Sequence, residues 1–159
     1  MKKRTNSSIL LLFLLAVVLV STACSNDSTT KDKKEEKKSS TKTEFVSKTV
    51  NNMNIKINSI STADNAKGNK NMVEIKMLIK NKDSGEVSIG AGDFKVKAGK
   101  TTYEVYPQGN NFGDVIKEGK ELTGSAFFEL PKSVEKGQLV YEINQKEAAS
   151  WDITVPEAE

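Results

Sequence analysis

The side chain best placed for covalent chemistry is the thiol of Cys24, the only cysteine in a chain of 159 residues. It directly follows an apolar run, Ile9–Val20, and three small residues, Ser21, Thr22 and Ala23. An intrachain disulfide is excluded because there is no second cysteine. A metal site is not expected, because the chain has no histidine and one thiolate does not make a tetrahedral ligand set. Acylation at a membrane is the role that remains.

The residues before Cys24 have the layout of an export signal. Lys2, Lys3 and Arg4 form a basic start, and the apolar run of 12 residues suits a signal peptide better than a membrane-spanning helix, which needs about 20. Residues 20–24, Val-Ser-Thr-Ala-Cys, resemble the bacterial lipobox, with Ser21 where that motif usually has leucine. The resemblance implies that the thiol receives a diacylglycerol and that cleavage makes Cys24 the new N-terminus. Two or more acyl chains, palmitate among them, would then anchor the protein stably.

Other patterns suited to chemistry have simpler explanations. The acyl-enzyme pattern S-x-x-K occurs about as often as chance predicts and lacks its companion motifs; it begins at Ser28, Ser39 and Ser133. Residues 81–86, N-K-D-S-G-E, faintly resemble a calcium loop but are shorter than its twelve residues, so a hairpin turn is favoured. Asp114 and Glu118 would suit a glycosidase pair, although exposed turn carboxylates are the ordinary explanation. No catalytic, metal or cofactor-binding residue is assigned, and the protein is predicted not to be an enzyme.

Two aromatic residues are candidates for contact with a partner. Trp151 lies in an apolar alternation, which favours packing in the core over a ligand platform. Phe127 falls on the opposite face of its predicted strand from Phe128, among polar residues. An exposed aromatic side chain often anchors a partner, and a ring lying under a neighbouring loop is the alternative. Phe127 is therefore the tentative partner contact.

The charge balance argues against a nucleic-acid partner. The chain has 24 Lys and Arg against 21 Asp and Glu, and three of the basic residues lie in the signal sequence. Removing residues 1–23 leaves 21 basic and 21 acidic side chains, with no arginine. Such a chain has no electrostatic footprint for nucleic acid.

A polar tether follows the cysteine. Ser25–Thr43 contains six lysines, four acidic residues and no apolar residue, so it cannot bury enough surface to offset its chain entropy. A lysine-rich contact with the membrane or a wall polymer is possible in principle, and a solvated tether is the simpler interpretation. Its coil would span roughly 25 Å and its full extension roughly 60 Å.

From Glu44 the sequence alternates with the period of β-strands. In Met72–Lys80, Val73, Ile75, Met77 and Ile79 share one face, and Leu78 is an apolar exception on the other. Similar runs occupy residues 54–60, 93–98, 122–130, 139–144 and 151–155, with weaker ones at 45–50 and 102–106. Turn signals separate the runs, while V-E-K-G and Q-K-E-A-A-S are candidates for single helical turns. We expect an all-β fold, one antiparallel sandwich of seven to nine strands. The predicted organisation is a signal peptide (1–23), a lipidated cysteine and tether (24–43) and one sandwich domain (44–159).

Four stretches carry a resemblance to a family. They are M-V-E-I-K-M-L-I-K-N-K, G-D-F-K-V-K-A-G-K-T-T-Y-E-V, E-G-K-E-L-T-G-S-A-F-F-E-L-P-K-S and L-V-Y-E-I-N-Q-K-E-A-A-S-W-D-I-T-V. The chain resembles the telokin-like, immunoglobulin-fold domains of unknown function that recur in Gram-positive lipoproteins. The resemblance spans roughly residues 46–155, implies an immunoglobulin-like fold, and brings no catalytic residues.

These observations leave three hypotheses for function. The first is a non-enzymatic binding or adaptor module, held by the lipid on Cys24 at the outer face of the bacterial cytoplasmic membrane. Its partner would be an envelope protein, a peptide or a wall component. The second is a small surface hydrolase that uses carboxylates. The third is a structural or stress-related envelope protein without a discrete ligand.

Overall fold

The computed structural model describes residues 44–159, which form ten β-strands and one short 3₁₀ turn. The strands are β1 (Lys48–Val50), β2 (Met53–Asp64), β3 (Lys70–Asn81), β4 (Val87–Gly90), β5 (Phe94–Ala98), β6 (Thr101–Tyr103), β7 (Gly113–Ile116), β8 (Glu121–Pro131), β9 (Lys136–Ile143) and β10 (Lys146–Thr154). The 3₁₀ turn, Ala91–Asp93, lies between β4 and β5. Within this part of the chain no helix is long and apolar enough to cross a membrane.

The strands form two four-stranded antiparallel sheets and one small ribbon. The first sheet has the order β1-β2-β3-β8, the second has the order β10-β9-β5-β6, and β4 pairs with β7. The predicted all-β sandwich is confirmed. Ten strands are present where seven to nine were expected, and two of them, β1 and β6, are only three residues long.

Alternation in the sequence places the core between the sheets. Every second residue of β3 from Val73 to Ile79 is fully buried, as predicted. Phe94 and Val96 of β5, Ala126, Phe128 and Leu130 of β8, and Trp151 and Ile153 of β10 are buried with them. A strand with one face on the core alternates in this way because successive side chains point to opposite faces.

Two hairpins turn through residues with positive φ. Asn51 and Asn52 join β1 to β2, and Asn144 and Gln145 join β9 to β10, with φ between 45° and 63°. The flanking residues pair directly, Val50 with Met53 and Ile143 with Lys146. Positive φ at both central residues is the signature of the type I′ turn, whose twist matches that of the strands.

Three local predictions from the sequence need correction. The two candidate helical turns are wrong, because Q-K-E-A-A-S enters β10 and V-E-K-G enters β9. The strand expected at residues 102–106 ends at Tyr103, since the chain then leaves the second sheet and crosses to β8.

Val140 is fully buried but lies outside the core cluster. It pairs in register with Lys95. Long lysine stems cover apolar surface well, which explains burial on an outer face.

Candidate interaction surface

The outer face of the first sheet carries large apolar side chains among polar ones. The alternation that sends Val73, Ile75 and Met77 inward sends the residues between them outward. The outward set on β3 is Met72, Glu74, Lys76, Leu78 and Lys80, and on β8 it is Glu121, Thr123, Ser125, Phe127 and Glu129. We call this surface the open face.

Met72, Leu78 and Phe127 are the large apolar residues of the open face on β3 and β8. All three are half-buried, and none belongs to the core cluster or to the partly buried residues packed against it. Burying apolar area against a partner is the dominant favourable term in most protein association. These side chains therefore make the open face the strongest candidate for an interaction surface among the described residues.

Phe127 lies beneath a segment that we call the strap, residues 104–112. The Tyr106 amide donates to the Phe127 carbonyl at 2.6 Å. A Cβ atom built on Gly109 would lie 2.7 Å from the Phe127 Cβ, so the glycine is required for this close approach. The structure thus brings the tentative contact residue under a loop and leaves its ring half-buried.

Asn111 completes the edge of β8 in place of a neighbouring strand. Its Oδ1 accepts from the Phe127 amide at 2.9 Å, and its Nδ2 donates to the Tyr106 carbonyl at 2.7 Å. The Phe112 amide adds a backbone bond to the Ser125 carbonyl at 3.0 Å. Because an uncovered strand edge invites pairing with other chains, the strap protects β8.

A second close approach fixes the end of the strap. The Phe112 side chain packs directly over Gly124, where any Cβ would overlap it. The same ring lies 6.0 Å from that of Phe94, centroid to centroid, at 58°. Phe112 therefore links the strap to the core, and the strap is a fixed element of the fold.

At one end of the open face, Glu129 is held in a polar cluster. Its carboxylate pairs with Lys70 Nζ at 2.6 Å and accepts from Asn65 Nδ2 at 3.0 Å. The hydrogen bond from Lys70, followed by that from Asn65, lowers the pKa of Glu129. Asn65 Oδ1 also accepts from the Lys70 amide at 3.2 Å. These contacts shape the turn between β2 and β3.

The two lysines of β5, in the second sheet, are paired with carboxylates, unlike some of those on the open face. Lys95 pairs with Glu142 at 3.0 Å and with Glu104 at 3.2 Å. These contacts, that with Glu142 first, raise the pKa of Lys95. Lys97 pairs with Glu147 at 3.2 Å. Within residues 44–159, Lys56 and Lys76 on the open face form no such ion pair.

The calcium-like sequence at residues 81–86 forms a turn. Asn81 is fully buried, and its Nδ2 donates to the carbonyls of Gly85 at 2.7 Å and Ile116 at 2.8 Å. Its Oδ1 accepts from the Asp83 amide at 2.7 Å. The side-chain oxygen that a calcium ion would need is thus engaged within the turn. The hairpin interpretation is wrong, because the turn joins β3 to β4, and these strands lie in different sheets.

The remaining motifs fall at separate places. Ser133 and Lys136 are exposed around the start of β9, while Cys24, Ser28 and Ser39 lie outside the described residues. Asp114 and Glu118 are exposed, and Asp114 Oδ1 accepts from the Val115 amide at 2.7 Å. Trp151 is 4% exposed within the core, and its indole N–H donates to the Val46 carbonyl at 2.9 Å.

Comparison with known proteins establishes the family. The sequence model of a domain of unknown function, DUF4352, matches residues 33–150. The chain belongs to the DUF4352 family. This confirms the resemblance to lipoprotein domains of unknown function with an immunoglobulin-like sandwich. No curated protein matches the chain in sequence.

Solved structures similar to this DUF4352 protein share its fold. YcdA of Bacillus subtilis, described as a candidate lipoprotein, is 17% identical with a TM-score of 0.55, and the match covers 68% of this chain. The chain spans only 38% of YcdA. The secreted protein MPT63 of Mycobacterium tuberculosis is 13% identical with a TM-score of 0.54, covering 69% of this chain and 92% of that one. YjhA of Bacillus subtilis is 13% identical with a TM-score of 0.51, covering 70% and 96%.

Proposed function

We propose that this DUF4352 protein is a lipid-anchored, extracytoplasmic binding module of the bacterial cell envelope, without catalytic activity of its own. The observation that carries the binding role is the set of three half-buried apolar side chains, Met72, Leu78 and Phe127, on the outer face of the first sheet, where the strap covers part of Phe127. Apolar side chains outside the core of their own domain can bury further apolar area against another molecule, which favours association.

The sequence around Cys24 supports the location. An export signal that ends in a lipobox-like run delivers the following domain outside the cytoplasm. Two proteins with similar folds are described as a candidate lipoprotein and as a secreted protein, which agrees with this placement. The tether of residues 25–43 would let the domain reach partners away from the lipid surface.

The location is tested by replacing the acylated thiol. In Cys24→Ala, we expect the protein to be released from the membrane or to remain as the unprocessed precursor. Wild type should sediment with membranes, need detergent for extraction, and be digested by protease added outside intact protoplasts. A processed Cys24→Ala protein that still needs detergent, or a wild-type protein shielded from external protease, would contradict the anchor.

The binding role is tested by crosslinking in intact envelopes. Wild-type protein, crosslinked and then purified, should carry one or a few defined adducts, and Met72→Ser/Leu78→Ser should lose them. The matched control is Val115→Ser, because Val115 is a 51%-exposed apolar residue on β7, outside both large sheets. If the wild type forms no adduct above the uncrosslinked sample, the structural-protein hypothesis is favoured instead.

A further inference from the structure

Strand β3 presents a basic and apolar row on the open face. Lys76, Leu78 and Lys80 occupy alternate positions, so their Cα atoms are spaced about 6.6 Å apart along the strand. Lys56 of β2 lies directly opposite Leu78 in the register, which places the two Cβ atoms about 5 Å apart. One half-buried leucine therefore has three lysine residues as neighbours, two on its own strand and one on β2.

The neighbours of Lys76 on both sides, and the β8 neighbour of Leu78, are short. Thr123 of β8 pairs with Leu78, while Lys76 lies between Ser59 and Ser125. Thr123 and Ser59 are exposed, and no long side chain covers the leucine from these positions. Leu78 is thus accessible from the β8 side, whereas Lys56 lies beside it on the β2 side.

Two of the three lysines lack a carboxylate partner. Within residues 44–159, Lys56 and Lys76 form no ion pair, and Lys80 pairs only with Glu121, at 3.1 Å, with both side chains about half exposed. Exposed pairs of this kind contribute little and exchange readily with competing carboxylates. Glu74, the next acid along β3, accepts from the Ser125 hydroxyl at 2.6 Å. Positive charge therefore exceeds negative charge around Leu78.

We propose that this row docks an extended, acidic protein segment with the pattern acid–x–apolar–x–acid. In an extended chain the first, third and fifth side chains share one face with the same spacing of about 6.6 Å. The apolar side chain would lie on Leu78, and the two carboxylates would meet Lys76 and Lys80, with Lys56 close to the centre. The proposal rests on the proposed binding role and specifies the partner of that surface.

The distribution of acids favours a narrow segment over a membrane surface. Glu74, Glu121 and Glu129 lie on the same face as the lysines. An anionic bilayer would cover the whole face and oppose all three carboxylates, whereas a segment one strand wide can be limited to residues 76–80 of β3. Like charges placed opposite each other suppress the wrong partner.

The test uses a defined peptide and the lipidated protein in phosphatidylcholine nanodiscs. The probe is a fluorescein-labelled Ser-Glu-Thr-Leu-Thr-Glu-Ser peptide, and its anisotropy is measured at low salt. A permuted peptide, Glu-Glu-Thr-Thr-Leu-Ser-Ser, has the same composition without the spacing. We expect the first peptide to bind more tightly, and its affinity to fall as salt is added, because exposed charges are screened.

Variants then locate the site. K56E/K76E should weaken binding by about tenfold or more, and Leu78→Ser should weaken it with all charges retained. K100E/K146E is the matched control, because it changes the net charge equally at two exposed lysines outside the first sheet and should leave affinity unchanged. Thermal melts of all variants confirm that each is folded.

Several results would overturn the proposal. Equal loss of affinity in K56E/K76E and K100E/K146E would mean that only the net charge of the protein matters. Equal binding of the two peptides would mean that the spacing of the acidic and apolar side chains does not matter. Attachment of the face to phosphatidylglycerol nanodiscs in preference to the peptide would make the membrane the occupant. If K56E/K76E still forms the envelope adducts of the wild type, this docking row is wrong while the binding role stands.

Discussion

At the scale of single residues, the buried polar side chains differ in how fully they are satisfied. Asn81 uses both ends of its amide in three hydrogen bonds. Thr62 is 6% exposed, and its Oγ1 has no hydrogen-bond partner within the described part of the chain. A buried polar atom without a partner costs about 1–3 kcal/mol, so Thr62 is a point of local weakness.

Thr62→Val should stabilise the domain. Valine has nearly the same shape, removes the unpaired hydroxyl and retains the β-branch that suits a strand, so the free energy of unfolding should rise by about 1–2 kcal/mol. Urea denaturation measures the change. Thr123→Val, at an exposed position on β8, is the control and should change stability little. A destabilised Thr62→Val would mean that the hydroxyl is satisfied.

Phe127 and Phe128 are neighbours on opposite faces of β8 and should respond differently to truncation. Phe128 is 0% exposed, so Phe128→Ala should lower the free energy of unfolding by about 3–5 kcal/mol. Phe127→Ala removes a ring that is only half-buried beneath the strap and should cost clearly less. Thermal melts of both variants decide the point, and equal, large losses would contradict the register of β8.

At the scale of elements, the strands were the predictable part. A half-buried strand is the interpretation that strict alternation favours for Val73, Ile75, Met77 and Ile79. The structure confirms it. The strap was not predictable, because residues 104–112 pair with β8 through two backbone bonds and one asparagine side chain. The periodicity of a sequence indicates local structure, and it does not predict contacts between segments so far apart in the chain.

The β9–β10 turn offers a test of hairpin geometry. Gln145 has a φ of 63°, a conformation that costs an L-residue about 1–2 kcal/mol and glycine almost nothing. Gln145→Gly creates the Asn-Gly pair favoured by type I′ turns and should raise the free energy of unfolding by about 0.5–1 kcal/mol. Gln138→Gly, within β9, should lower it. Stabilisation by the second variant but not by the first would contradict the assigned turn.

The candidate site was partly visible in the sequence. Leu78 stood out as an apolar residue on the polar side of an alternating strand. Lys56, which faces Leu78 from β2, could not be identified from the sequence. Its position opposite Leu78 depends on the bulge that shifts the strand pairing between Ile57 and Ser59. Bulges change which residues face each other without leaving a sequence pattern. The grouping of Lys56 with Leu78 therefore required the structure.

At the scale of the whole molecule, contacts between the sheets close both sides of the sandwich. The strap joins the second sheet to β8 on one side. On the other, Lys48 of β1 donates to the Ser150 carbonyl of β10 and lies 5.7 Å from the centre of the Trp151 ring. Each sheet is thereby linked to the other at its edges, where exposed strands would otherwise invite aggregation.

Limited proteolysis should separate the tether from this domain. Ser25–Thr43 has no apolar residue, whereas the Val46 carbonyl already accepts the Trp151 indole hydrogen. We expect trypsin to cleave within the lysines at positions 31–42 and to leave a stable core that begins near Glu44. Mass spectrometry of the product identifies its first residue. Strong amide protection between Lys31 and Lys42, or a core that unfolds once they are removed, would contradict a solvated tether.

The covalent state of Cys24 shows whether the domain is anchored outside the cell by lipid. The protein should be extracted with detergent from the membranes of cells that express the full chain, and its N-terminal peptide analysed by mass spectrometry. We expect a chain that begins at Cys24, with a diacylglyceryl group in thioether linkage on the sulfur. An unmodified thiol in a chain that still carries residues 1–23, or that was cleaved at another position, would contradict it.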